Sequence, residues 1–190
     1  MLRKIILFIA CFAISVSAKA ESNKEIIQKI RDKFENINNI QFDFIQTNNE
    51  LVEKGSCYLS YQKKLICRYQ GDEQKEIIIK NNTLIVIKKK YQKIYYYRIS
   101  NSVFETILDK KKIINQIKQI KEIKEKNNLF VIEFKNKENI SFLQLFIDKK
   151  NLDIAGWETA GYDKQSTSFI IRNSQINTNI KEKFEVPNFD

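Results

Sequence analysis

The chain has 190 residues, 33 Lys and Arg against 23 Asp and Glu, a formal net charge of +10, and no histidine. Without histidine the commonest metal ligand, the commonest general base and every Ser-His or Cys-His nucleophile are excluded. Only four glycines occur, and none form a phosphate-cradling loop.

Met1-Leu2-Arg3-Lys4 is a short basic start, Ile5 to Val16 is an apolar stretch, and Ala18-Lys19-Ala20 is a small-x-small cleavage pattern. That order is the pattern of a secretory signal peptide over residues 1–20, with the mature chain starting at Glu21 as one domain over 21–190. Phe8-Ile9-Ala10-Cys11 weakly resembles a lipoprotein cleavage site, but its use would leave only Ile5 to Ala10 as the apolar region. Removal of Arg3, Lys4 and Lys19 lowers the charge from +10 to +7 (10 − 3). Export argues against a nucleic-acid partner, so the basic excess points to acidic lipids, an acidic partner or compositional bias.

Ser22-Asn23-Lys24-Glu25 has capping-box spacing, and Ile26, Ile27, Ile30 and Phe34 follow at helical intervals. A helix is expected from Asn23 to about Glu35. Ile40, Phe42 and Phe44 then alternate with polar positions as a first strand. Gly55 to Tyr69 reads as a β-hairpin around Tyr61-Gln62-Lys63. Cys57 then opposes Cys67 and Leu59 opposes Leu65, giving one apolar face. Cysteines so placed are close enough to bridge in an oxidising compartment, and two reduced buried thiols fit equally well. Glu76–Lys80 and Leu84–Ile87 flank an Asn81-Asn82 turn, Lys88-Lys89-Lys90 marks a bend, and Tyr91–Tyr97 continues the meander.

Ser102 can cap a short helix carrying Val103, Phe104, Ile107 and Leu108, and Asp109 to Gln116 can continue as a second one. Ile113, Ile114, Ile117, Ile120 and Ile123 leave the next boundary open. Strands are expected over Leu129–Phe134, Ser141–Asp148, Leu152–Thr159, Ser166–Asn173 and Lys183–Val186, with Pro187 ending the last. The fold class is therefore mainly β (α+β): a curved antiparallel sheet with helices on one face. No residue set points to catalysis, to a metal or to a cofactor. On the residues alone, Cys57, Leu59, Leu65, Cys67 and Tyr69 read as core beneath the helices.

The chain resembles the periplasmic outer-membrane lipoprotein carrier family, LolA-like proteins. Ile40-Gln41-Phe42-Asp43-Phe44-Ile45-Gln46 is similar to the family's first strand, and Gly55 to Tyr69 to its Gly-x-aromatic hairpin. Phe146 to Trp157 resembles the late hairpin. Asp163 to Phe169, with Asn173, Asn177, Ile180 and Phe184 to Pro187, resembles the C-terminal pattern. The resemblance implies an unclosed β-barrel whose hollow, covered by helices, holds lipoprotein acyl chains. It implies a monomer in the periplasm of a Gram-negative bacterium, with three partners: triacylated lipoproteins, an inner-membrane ATP-driven releasing complex and an outer-membrane acceptor. By position, Phe104, Ile107 and Leu108 would form a lid over Phe42, Phe44, Cys57, Leu59, Leu65, Cys67 and Tyr69. The family's Arg-Pro at the hairpin loop is Tyr61-Gln62 here, so that arginine's role does not carry over. Three other readings stand beside this one: a membrane-attached acceptor of the same fold, a lipid-binding sensor and a carboxylate-based envelope hydrolase.

Overall fold

Among the described residues, eleven antiparallel strands form a single sheet. The computed structural model describes residues 22–100, 102–135, 142–160, 166–179 and 182–189. The expected signal peptide, Cys11, Ser141, Asp163 to Gln165 and Ile180 lie outside the described residues.

Helix α1 (Asn23–Asn36) starts where the capping box places it. Ser22 Oγ accepts from the Glu25 amide at 3.3 Å, and Glu25 Oε2 accepts from the Ser22 amide at 3.0 Å. These bonds hold the Glu25 carboxyl below its ordinary pKa. Ile30 and Phe34 on its inner face are fully buried.

The strands are β1 (Asn39–Asn48), β2 (Leu51–Ser60), β3 (Lys64–Tyr69), β4 (Lys75–Lys80), β5 (Thr83–Lys88) and β6 (Lys93–Arg98). After α2 (Val103–Ile107) and α3 (Lys110–Gln119) come β7 (Lys124–Lys126), β8 (Leu129–Lys135), β9 (Phe142–Asp148), β10 (Ile154–Ala160) and β11 (Ser166–Ile176). β1 and β11 pair from the two ends of the chain, joining the two meanders into one surface. The strand order is β6-β5-β4-β3-β2-β1-β11-β10-β9-β8-β7, and the ends β6 and β7 do not pair with each other, so the sheet curls without closing.

The hairpin register is the expected one: Cys57 opposes Cys67, and Leu59 opposes Leu65. The two cysteines are joined by a disulfide, with Cα atoms 4.1 Å apart. Gly55 stands between Phe44 on β1 and Tyr69 on β3. A Cβ there would lie 2.1 Å from the Arg68 carbonyl and 2.8 Å from the Phe44 ring. The bare backbone lets the Phe44 and Tyr69 rings meet edge-to-face across β2, centroids 4.9 Å apart.

Several sequence expectations are corrected. Lys183–Val186 is not a strand but part of an irregular segment, 182–189. Phe184, Val186 and Phe189 pack on the outer-face residues Ile66, Ile78, Ile85 and Ile87. Arg68 clamps this strap through Glu182 (3.2 and 2.8 Å), and Lys80 Nζ donates to the Phe184 carbonyl at 2.7 Å. A segment lying over a sheet face has no free edge to pair with, so its alternation buries side chains without making a ladder. Ser102 stands at the N-cap position of α2 as expected, but its hydroxyl makes no capping bond and donates back to the Ile99 carbonyl at 2.6 Å. Asp109 is the working cap, accepting from the Lys112 amide at the start of α3. α3 runs to Gln119, and β7 follows where no strand was expected. β1 runs on through Thr47 and Asn48, and Tyr91 lies in a 3-10 turn (Lys89–Tyr91) before β6.

Two outcomes check this account. Gly55→Val should destabilise the protein by about 2–4 kcal/mol, because the new side chain meets backbone and a packed ring; urea denaturation measures it. A thiol assay on denatured, unreduced protein should find Cys57 and Cys67 blocked. Replacing both with alanine should then cost about 2–3 kcal/mol for a loop of this size.

Candidate functional site

One side of the curled sheet is almost wholly hydrocarbon. From β1 to β4 its concave face carries Ile40, Phe42, Phe44, Cys57, Leu59, Leu65, Cys67 and Ile79. From β8 to β11 it carries Phe130, Ile132, Leu143, Leu145, Ile147, Ile154, Trp157, Phe169 and Ile171. Among the described residues every residue that is buried as a whole and carries a side chain is hydrophobic. The aromatic residues form a row. Trp157 stacks on Phe169 at 4.1 Å, Phe169 on Phe44 at 4.6 Å, and Phe44 meets Tyr69 over Gly55. Tyr69 closes the row with its polar end satisfied: its hydroxyl donates to Gln46 Oε1 at 2.8 Å, and Lys75 Nζ sits 3.8 Å from its ring centroid. Burial, reinforced by nearby Glu53, raises its phenol pKa.

The three helices fill this hollow. Ile30 and Phe34 from α1, Ile107 from α2, Leu108 just after it, and Ile113 and Ile117 from α3 all join the same cluster. What remains is an apolar cavity of about 10 Å³ between Ile40, Phe42, Leu59, Ile107, Ile113, Phe134, Leu143, Leu145, Ile154, Trp157 and Ile171. That is the space of a single water, against ~300–1,000 Å³ for a small-molecule site. The protein's own helices therefore occupy the space that a ligand would take.

Phe42, Phe44, Cys57, Leu59, Leu65, Cys67, Ile107 and Leu108 are all buried in this one cluster, and Tyr69 and Phe104 pack against it partly buried. Only Phe42, Leu59 and Ile107 of that set line the residual cavity. Sequence reasoning missed the far wall, Phe134, Leu143, Leu145, Ile154, Trp157 and Ile171, and Ile113 of α3 beneath it. Alternation marked most of these as strand residues facing one side. It carried no sign that their side and the hairpin's side enclose the same volume.

The helical cover is fastened at its rim by polar contacts. Lys110 at the start of α3 donates to the Glu35 and Ile37 carbonyls at 3.1 and 2.8 Å, tying α3 to the end of α1. Its Nζ also lies 5.8 Å from the Tyr61 ring centroid. Lys63 at the hairpin tip pairs with Asp109 between α2 and α3 at 3.5 Å. Lys33 of α1 pairs with Asp153 before β10 at 2.8 Å, and Gln116 of α3 donates to the Glu133 carbonyl of β8 at 3.3 Å. The Tyr61 hydroxyl is buried without a hydrogen-bond partner among the described residues, and burial raises its pKa. The loop that carries Tyr61-Gln62 thus touches the helical cover through Tyr61 and Lys63.

The sequence pattern described as outer membrane lipoprotein carrier protein LolA matches residues 35–186. Among solved structures the chain is similar to a LolA superfamily protein, NE2245, from Nitrosomonas europaea. The identity is 8%, the alignment covers 88% of this chain and 99% of the other, and the TM-score is 0.45. It is also similar to LprF from Mycobacterium bovis, at 11% identity, 87% and 96% coverage and a TM-score of 0.45. A third similarity is to the MucA/MucB complex of Pseudomonas aeruginosa, at 7% identity, 84% and 59% coverage and a TM-score of 0.43. No curated protein sequence matches the chain. The match spans every strand from β1 to β11, both helices of the central cover and most of the strap, so the chain belongs to the LolA family of outer membrane lipoprotein carrier proteins.

Proposed function

We propose that the protein is a periplasmic carrier that shields the acyl chains of triacylated lipoproteins between the concave sheet face and the α2–α3 cover. It takes them from an inner-membrane ATP-driven releasing complex and passes them to an outer-membrane acceptor. The observation that carries this reading is a large hydrocarbon hollow plugged by short helices rather than by the sheet itself. Each methylene removed from water contributes ~0.8 kcal/mol, so acyl chains cross an aqueous space only when covered.

The plug makes the binding reversible. Incoming chains must displace Ile107, Leu108 and Ile113, which then lose their own contacts with the sheet. The carrier's net affinity is the difference between the two burials. Phe42, Phe44, Cys57, Leu59, Leu65, Cys67 and Tyr69 form the fixed wall on one side, and Phe104, Ile107 and Leu108 belong to the moving cover. No catalytic group is needed for such a transfer. In place of the family's arginine, Lys63 and Tyr61 at the hairpin tip hold the cover through Asp109 and Lys110.

Organic extraction of the protein purified from the periplasm should release triacylated lipoprotein, and a consistently empty protein would count against the carrier. Uptake of a fluorescent fatty-acyl probe should respond in opposite directions to two substitutions. Leu59→Asp places a charge on the hollow's wall and should abolish uptake, whereas Ile107→Ala removes part of the plug and should raise it. Near-UV circular dichroism establishes that each variant is folded. Separately, Lys63→Gln breaks an exposed ion pair worth ~0–1 kcal/mol. It should speed probe uptake by up to about fivefold without changing the unfolding midpoint measurably.

A further inference from the structure

The free end of the sheet at β6 differs from the rest of the surface. Tyr95, Tyr96 and Tyr97 are 39%, 62% and 53% exposed, so both faces of this strand carry exposed rings, although Ile94 packs on the outer-face cluster. Tyr91, in the turn that leads into β6, is 48% exposed. No acidic residue occurs from Ile77 to Phe104, while five lysines and Arg98 fall within that span. Lys88 and Lys89 are paired with Glu73 and Glu76, and Lys80 is held by the Phe184 carbonyl. Lys90, Lys93 and Arg98 have no carboxylate partner among the described residues.

Aromatic rings with polar tips, flanked by unpaired cations, are the composition that settles at a bilayer interface. The rings sit at headgroup depth, and the cations meet anionic lipid. The geometry favours lipid over a protein partner. Opposite pairing with Leu84 and Val86 puts Tyr97 and Tyr95 on the concave side, while Tyr96 pairs with Ile85 on the outer side. A partner laid on one face would leave the other face's tyrosines in water. A plane meeting the strand edge-on takes in both. Lys93 and Arg98 at the two ends of the strand also oppose extension of the sheet by another strand.

We propose that the β6 edge docks the protein edge-on against an anionic bilayer surface, with Tyr95, Tyr96 and Tyr97 at headgroup level and Lys90, Lys93 and Arg98 on the acidic headgroups. Docking there brings α2, which follows β6 after four residues, beside the membrane. The docking goes beyond the carrier reading and does not depend on it, because a protein with an empty hollow presents the same edge.

Co-sedimentation of the exported protein with vesicles tests it. Phosphatidylglycerol mixed with phosphatidylethanolamine should bind the protein, pure phosphatidylcholine should not, and binding should weaken as salt is raised. Tyr95→Ser/Tyr96→Ser/Tyr97→Ser and, separately, Lys90→Gln/Lys93→Gln/Arg98→Gln should each reduce binding at least about tenfold. The charge variant leaves every tyrosine in place, so it remains decisive if the tyrosine variant fails to fold. No binding to the anionic vesicles, equal binding to both, or binding unchanged in the charge variant overturns the proposal. So does capture of polyglutamate, or self-association through β6, by a protein that ignores the vesicles.

Discussion

A sheet that curls but does not close must cover its apolar inner face with something, and every other feature of this fold follows from that constraint. Eleven strands provide far more concave hydrocarbon surface than they can bury among themselves. The cover has to come from chain inserted between β6 and β7 and from the helix that precedes β1. Because the cover consists of short helices, it touches the wall through a few isoleucines and leucines and is fixed at the rim by lysine contacts.

The wall itself depends on one small accommodation. Phe44 and Tyr69 lie two strands apart, and they meet only because Gly55 leaves the intervening strand bare. Through that gap the row of rings runs unbroken from Trp157 on β10 to Tyr69 on β3. It joins the strands contributed by the first part of the chain to those contributed by the last. The disulfide stands two residues along on the same hairpin, linking β2 and β3.

Local periodicity made much of this visible in the sequence. The hairpin register could be read because a period of two and a three-residue loop leave one way to oppose Cys57 with Cys67 and Leu59 with Leu65. α1 could be read because capping box and apolar spacing agree. Where no local signal marks an end, the reading failed: Ile113, Ile114, Ile117, Ile120 and Ile123 keep helical spacing past the point where α3 stops at Gln119. The strap failed differently. Phe184 and Val186 alternate as strand residues do, but whether such a segment pairs at an edge or lies across a face is decided by distant chain. The candidate site was half legible for the same reason. The hairpin's contribution was local, whereas Leu143, Leu145, Trp157 and Ile171 become its opposite wall only when the sheet curls.

The strap has a mechanical meaning. Residues 182–189 lie across the back of β3, β4 and β5, filled in by Phe184, Val186 and Phe189 and tied down by Arg68 and Lys80. A curved sheet loaded from within can yield by flattening or by shedding its cover. Splinting the outer surface stiffens that half of the arc and discourages the first. In a carrier of the proposed kind, compliance would then be concentrated in two short helices, and a pressure that would otherwise spread through the whole sheet would be turned into the movement of one small part.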